Sequence, residues 1–338
     1  MIITPLLDTL KLEKIDDSIY FSTKYSNYIS NSRLGLINPS QGGSPESFFN
    51  GFKPIYSSSL DLGNTVHQMC LQRDLFTICN EVDKPSAKMG ILADKLYKDY
   101  NNISPELICR VAGEIDYYHG LLSEKQVNNV IEKCTPYWNS RKRYESIYTG
   151  TKEVIFLEPK LRETAYNCIN AIESNKKIQN LLHPIGLLEN PLSENEQAIL
   201  LDIRVDIPEN DKHFILKLKS KLDNYTIDKE SNIITVNDIK TLGRVVSEVS
   251  VNIEKYHYNR ELAMYSFLLS LVAKKYYNLE NPKVKGNYLV VSTIPQYYTK
   301  VVPMTIKMFT EGWMEFKKLL TLVATEVSTN YKEFGIWM

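Results

Sequence analysis

The sequence lacks most of the features that mark a protein class at a glance. It has no imbalance of charge, with 40 Lys and Arg against 40 Asp and Glu. A neutral chain makes no global field, so any binding of nucleic acid has to come from a local patch. Long apolar runs are missing too. Stretches such as "YSFLLSLVA" and "YLVVSTI" fall far short of the roughly 20 residues that a membrane-spanning helix needs. The opening "MIITPLLDTLKLEK" has neither the basic start nor the long apolar stretch of a secretion signal. A soluble chain in the cytoplasm, with no membrane partner, is the expectation. The five cysteines, Cys70, Cys79, Cys109, Cys134 and Cys168, form no CxxC pair. That spacing argues against disulfides, zinc and iron–sulfur clusters and for reduced, packed thiols. No G-x-x-x-x-G-K-[ST] loop, G-x-S-x-G elbow, H-E-x-x-H helix or Rossmann glycine fingerprint occurs.

What is present is a change of pattern along the chain. With 338 residues at 43% hydrophobic, it can bury one large core or two modest ones. A short helix is predicted around "NSRLGLI", between a Ser/Asn start and a Pro/Gly-rich turn, and another over "SSSLDLGNTVHQMCLQRDLF". Residues 86–185 carry apolar side chains at three- and four-residue intervals and read as mostly helical. From about 196 to 241 the runs "AILLDIRVDI", "HFILKLKSKLDNYTI" and "IITVNDIKT" alternate and are β-branched, which predicts three strands. A helix over about 254–278, a strand "NYLVVSTI" and a helix over about 303–328 follow. The fold class predicted is α/β, a central mixed β-sheet flanked by helices with a helical insertion. The divisions read from these patterns are a helical part at 1–85, a mainly helical insertion at 86–190, and the sheet with its C-terminal helices at 191–338. Together they are expected to form one compact domain.

The chemistry concentrates on one hairpin. In "HFILKLKSKLD" a period of two puts Phe214, Leu216, Leu218 and Leu222 on one face and His213, Lys217, Lys219, Lys221 and Asp223 on the other. If the turn "DKESN" is symmetric, Asp223 faces Asp238 of "TVNDIKT", with Cβ atoms roughly 5 Å apart. Two facing carboxylates repel unless something positive stands between them, and a hard divalent cation such as Mg²⁺ suits them. Lys240 then stands where it can orient an attacking water or offset charge on a phosphate. The lysines 217, 219 and 221 read either as a track for a DNA backbone or as a solvated strand face. Arg33 is a further candidate phosphate contact.

Taken in order, these segments resemble the PD-(D/E)xK nuclease superfamily, in particular its phage RecE-like and RecB-nuclease-like exonuclease branch. "YISNSRLGLI…SPESFF" is similar to that branch's S-x-S-x-L … S-P opening, and "LDLGNTVHQMCL" to its G-x-x-x-H helix. "KSKLDNY" with "ITVNDIKT" looks like its D … D-I-K-T hairpin. "YNRELAMYSFLL" stands where its Q-x-x-x-Y helix belongs. The resemblance spans roughly residues 25–80 and 194–296. It implies a restriction-endonuclease-like core and metal-dependent hydrolysis of phosphodiester bonds from double-stranded DNA ends, in phage-type recombination or DNA processing.

By the same resemblance, Mg²⁺ (or Mn²⁺) is held by His67, Asp223, Asp238 and the Ile239 carbonyl. Lys240 is the catalytic lysine, Glu196 a glutamate acting at the metal or through its waters, and Tyr265 a DNA contact. The implied partners are DNA ends, a single-strand annealing protein and further copies of the chain in a ring; the setting would be a host cytoplasm if the chain is phage-encoded. One position departs from the pattern: Glu261 stands where the family has glutamine. A carboxylate there cannot donate a hydrogen bond and repels phosphate. Two other readings stay open. One is another nuclease of the superfamily, a repair or Cas4-like type without an iron–sulfur cluster. The other is a non-catalytic DNA-end-binding or structural phage protein.

Overall fold

A computed structural model describes residues 2–51, 57–118, 120–148, 150–184, 192–207 and 212–330. The chain forms two compact units, one made of residues 1–52 and 172–338 and the other of the intervening 53–171.

The strands in chain order are β1 (Ile2–Pro5), β2 (Lys11–Lys14), β3 (Phe76–Ile78), β4 (Glu153–Ile155), β5 (Leu192–Ile207), β6 (Lys212–Asp228), β7 (Ile233–Leu242), β8 (Lys283–Ser292) and β9 (Thr299–Pro303). The first unit is built on a seven-stranded sheet in the order β1-β5-β6-β7-β8-β9, with β2 also paired to β5. Among its described strands, β7 and β8 are the parallel pair. Parallel neighbours need a crossover, and the helix Tyr258–Tyr277 supplies it. This helix begins after His257 and ends at Asn278, both in the left-handed region (φ +53° and +57°), which asparagine tolerates better than most residues. The architecture is therefore the α/β fold with a central mixed sheet that the pattern predicts.

The three predicted strands, the crossover helix, the strand before the last helix and that helix (Ile306–Asn330) all form. The β6–β7 ladder pairs Asp228 with Ile233 and Asn224 with Asn237, the register of a turn symmetric between Glu230 and Ser231. The edge strands β1, β2 and β9, four or five residues each, have no expectation to match. They are too short to show a period of two, and the pairing of β1 and β2 with β5 is non-local. The core of this unit joins Leu216, Leu218, Val236, Leu262, Leu269 and Phe316, all inaccessible to solvent.

The second unit is mainly helical. The helix Ser58–Leu71 is capped by the Ser57 hydroxyl, and the helices Ala87–Leu96, Pro105–Glu114 and Glu124–Ile147 pack around a core of Leu92, Leu96, Ile108, Val130 and Trp138. Its parallel β3–β4 pair, of three residues each, was not anticipated. All five cysteines are free thiols. Among the described residues no helix is long and apolar enough to cross a membrane.

The last helix of the first unit passes close to the start of the helix Tyr258–Tyr277 at Gly312. A Cβ there would stand 2.8 Å from the Arg260 backbone nitrogen and closer still to the Asn259 carbonyl oxygen. Backbone cannot step aside as a side-chain end can. Gly312→Ala should therefore destabilise the protein by about 1–3 kcal/mol, read as a lower urea midpoint at unchanged m-value.

Candidate active site

The site lies where the β6–β7 ladder ends. Pairing runs from Asp228↔Ile233 to Asn224↔Asn237 and goes no further. At the next position the backbone bond is replaced: Asp223 Oδ2 accepts from the Ile239 N–H at 2.7 Å. Direct facing of Asp223 and Asp238 in a continued ladder, expected from the turn, thus gives way to a fork that the Asp223 carboxylate itself bridges. On the other flank β5 pairs Asn195 with Asn224 and Gln197 with Leu222. Between them Glu196 adopts φ +55°, an uncommon backbone state for a glutamate that costs on the order of 1 kcal/mol or more. One carboxylate oxygen of Glu196 and one of Asp223 lie within 4.8 Å of each other. Neighbouring strands thus deliver Glu196, Asp223 and Asp238 to one level of the sheet.

Asp238 is buried, 2% exposed. Lys240 Nζ lies 3.0 Å from its Oδ1 and 2.8 Å from its Oδ2. The hydrogen bond goes to Oδ1, and no donor among the described residues is aligned on Oδ2. The Lys240 ammonium also donates to Glu261 Oε2 at 2.9 Å and sits 4.6 Å from the centre of the Tyr258 ring. Tyr265 donates to the other Glu261 oxygen at 3.1 Å. Burial pushes the Asp238 carboxyl up from its ordinary range. Lys240 opposes this, while Asp223 and Glu261 add to it. Burial works against the Lys240 ammonium as well, but Asp238, Glu261 and Asp223 outweigh it and hold the lysine firmly protonated. Tyr265 stays a neutral phenol, first through burial and then through the carboxylates near it.

Four carboxylates, Glu196, Asp223, Asp238 and Glu261, thus share this corner with two ammonium groups, Lys240 and Lys221, the latter 3.0 Å from Glu196. The donors are oxygen atoms and the balance is negative, the chemistry that suits a hard divalent cation.

The other expected residues have partners within the protein. Lys217 pairs with Asp202 at 3.0 Å. Lys221 bridges Asp17 (2.6 Å) and Glu196. Lys219 is 8% exposed, donates to the Tyr20 carbonyl at 2.8 Å and lies 4.5 Å from the Tyr20 ring centre. Arg33 is buried against the Phe48 ring and donates to the carbonyls of Ser26, Tyr28 and Phe48. The N-terminal segment around Asp17–Tyr28, whose pairing with β6 is non-local, therefore covers the lysine row. His67 sits in the helix Ser58–Leu71 of the second unit. Glu261 is a partner of the motif lysine. Tyr288, fully buried and paired with Asp238 across the parallel β7–β8 ladder, was not foreseen. It reads in the sequence as one more apolar residue of a strand, and only the parallel register brings it to Asp238.

Neither a protein-family model nor a curated protein matches the sequence. Among solved structures, the chain is similar to a candidate exonuclease from Eubacterium rectale, with 10% identity and a TM-score of 0.45 over 94% of this chain and 88% of that one. It is also similar to a Vibrio cholerae protein with 12% identity and a TM-score of 0.17 over 86% of this chain and 60% of that one. Likenesses this slight carry no weight for function.

Burial, and then Arg33, pull the Lys219 amine down to about 8. Its folded-state affinity for a proton is thus lower than that of the unfolded chain. The charged form counts against folding at neutral pH and ceases to count above the ordinary lysine value of 10.5. Replacing it by methionine should raise stability, relative to wild type, more at neutral pH than above pH 10.5, as read by urea unfolding at both.

Proposed function

We propose that this protein is a metal-dependent DNA nuclease that hydrolyses phosphodiester bonds from double-stranded ends. The observation that carries the reading is the fork: Asp223, Asp238 and Glu196 gathered from three adjacent strands, with Lys240 held beside Asp238. A binding protein gains nothing from crowding buried carboxylates, and the ordered motifs resemble those of PD-(D/E)xK nucleases.

Asp223, Asp238 and the Ile239 carbonyl would hold Mg²⁺ or Mn²⁺. When bound, such a cation supplies Lewis acidity towards phosphate oxygens and a more acidic water. The chain's own groups do the rest. Asp223 is oriented by the Ile239 N–H, and Asp238 by Lys240. Lys240 is kept protonated and aimed by Glu261 and the Tyr258 ring, so it can donate to the attacking water or to a phosphate oxygen. Glu196 accepts from Lys221 and lies beside Asp223, where it can take a proton from the attacking water. A role in phage-type recombination, with an annealing protein as partner and a ring of copies as the working form, rests on the sequence motifs alone.

The decisive experiment incubates linear, nicked and closed-circular duplexes with Mg²⁺, Mn²⁺ or EDTA. Wild type should degrade linear DNA only with metal, and Lys240→Ala should lower the rate by about 10²-fold or more. His67→Ala tests the ligand that the resemblance adds, through weakened Mn²⁺ binding. Cutting of closed circles would make the enzyme an endonuclease. Ends bound but never cut would favour the non-catalytic reading, in which Lys240 is locked between Asp238 and Glu261.

The raised Asp238 carboxyl predicts a pH dependence. A folded-state acid that binds its proton more tightly than the unfolded chain adds stability at low pH, and this is lost as pH rises through its folded value. Metal-free wild type should therefore lose stability across that range, and Asp238→Asn, which cannot titrate, should lose less. Added Mn²⁺ should raise the melting temperature of wild type and not of the variant.

A further inference from the structure

Each strand that delivers a residue to the fork carries an asparagine next to it: Asn195 beside Glu196, Asn224 beside Asp223, Asn237 beside Asp238 and Asn287 beside Tyr288. The structure shows these four asparagines as register partners across β5, β6, β7 and β8. Their side chains are joined head to tail. Asn287 donates to Asn237 at 3.0 Å, Asn237 to Asn224 at 2.8 Å, and Asn224 to Asn195 at 2.8 Å. Asn224 and Asn237 are wholly buried. Their remaining donor capacity goes to the last carbonyls of the helix Lys176–Leu182: Asn237 donates to Leu181 at 3.0 Å and Asn224 to Leu182 at 3.4 Å. The Asn224 N–H that reaches Leu182 is shared with Ser193 Oγ at 3.1 Å.

We propose that this asparagine row is the device that positions the carboxylates, with Asn224 and Asn237 as positioning residues acting through the fork. Rows of amides between strands are specific in a way that apolar rows are not. The two inner amides, Asn237 and Asn224, each accept on one side and donate on the other, so the direction of the row is set. A slip of one residue in any strand would turn its asparagine to the opposite face and orphan a buried amide, at a penalty that apolar side chains do not impose. The Asn224–Asn237 rung is also the last pair before β6 and β7 part. It therefore sets the place where the Ile239 N–H leaves the ladder for the Asp223 carboxylate. Adjacent residues on a strand point to opposite faces. The asparagines accordingly grip the helix Lys176–Leu182 on one side while Asp238 meets Lys240 and Glu261 on the other.

The metal arm of this inference rests on the nuclease reading; its structural arm does not, and one experiment separates the two. Amide hydrogen exchange at single-residue resolution is measured on the metal-free full chain for wild type, Asn237→Ala, Asn237→Ser and Asn287→Ala, followed by Mn²⁺ titration by calorimetry. If the row positions the fork, Asn237→Ala speeds exchange of the Ile239 amide about tenfold or more, while the Ile234 and Val236 amides of the same strand change by less than about threefold. Asn287→Ala, which leaves the Asn237–Asn224 rung in place, has the smaller effect on Ile239, and Mn²⁺ affinity falls in the same order. Equal acceleration along β6, β7 and β8 would mean that the row only adds stability, and the inference fails; an unchanged Ile239 amide overturns it too. Should Asn237→Ala not fold, Asn237→Ser is judged by the same selective pattern. If wild type binds no Mn²⁺, the nuclease reading fails while the exchange pattern still decides the role of the row.

Discussion

The structure depends on a concentration of negative charge at the end of one β-ladder. Burying Asp238 within reach of Asp223 and Glu261 opposes folding, since each ionised carboxylate loses hydration and repels the others. Three local arrangements offset this. Lys240 stands among the carboxylates and is held there by two of them. A backbone N–H freed by the fork is given to Asp223. Lys221 takes Glu196 together with Asp17. The compensation is incomplete, as the upward displacement of the Asp238 carboxyl shows.

Much of the first unit can be understood as scaffolding for that corner. The parallel pairing of β7 and β8 requires a crossover, and the crossover helix brings Tyr258, Glu261 and Tyr265 over Lys240. Glu261 stands where the nuclease motifs that the sequence resembles have glutamine, and it shares Lys240 with Asp238. A glutamine in its place could bond to Lys240 only as a neutral acceptor. The N-terminal segment lies over the lysine row of β6. It gives those ammonium groups carbonyl, ring and carboxylate partners in place of water.

The hairpin was legible because its signals are local. Alternation in "HFILKLKSKLD" and "IITVNDIKT" gives strands, a short polar turn sets the register between them, and register places Asp223 and Asp238 at the same level. Crossover helix, β8 and the last helix follow from lengths and periods that exceed several turns or pairs. Other features carry no comparable local signal. Strands of three to five residues at the edges show no period. Lysines 217, 219 and 221 look alike in sequence, yet one is buried under a tyrosine and another bridges two carboxylates.

By itself the sequence determined the fold class, the central hairpin and the residue types that meet on it, because periodicity and turn chemistry act over a few residues. Tertiary structure alone decided that the ladder stops one pair short of the aspartates and that Glu196 takes a left-handed backbone beside them. It also decided that Glu261 captures Lys240 and that four asparagines from four strands join in one row. Each of these depends on which strands become neighbours and how a helix crosses between them. Such contacts link residues from 13 to 50 positions apart, and no local pattern encodes them.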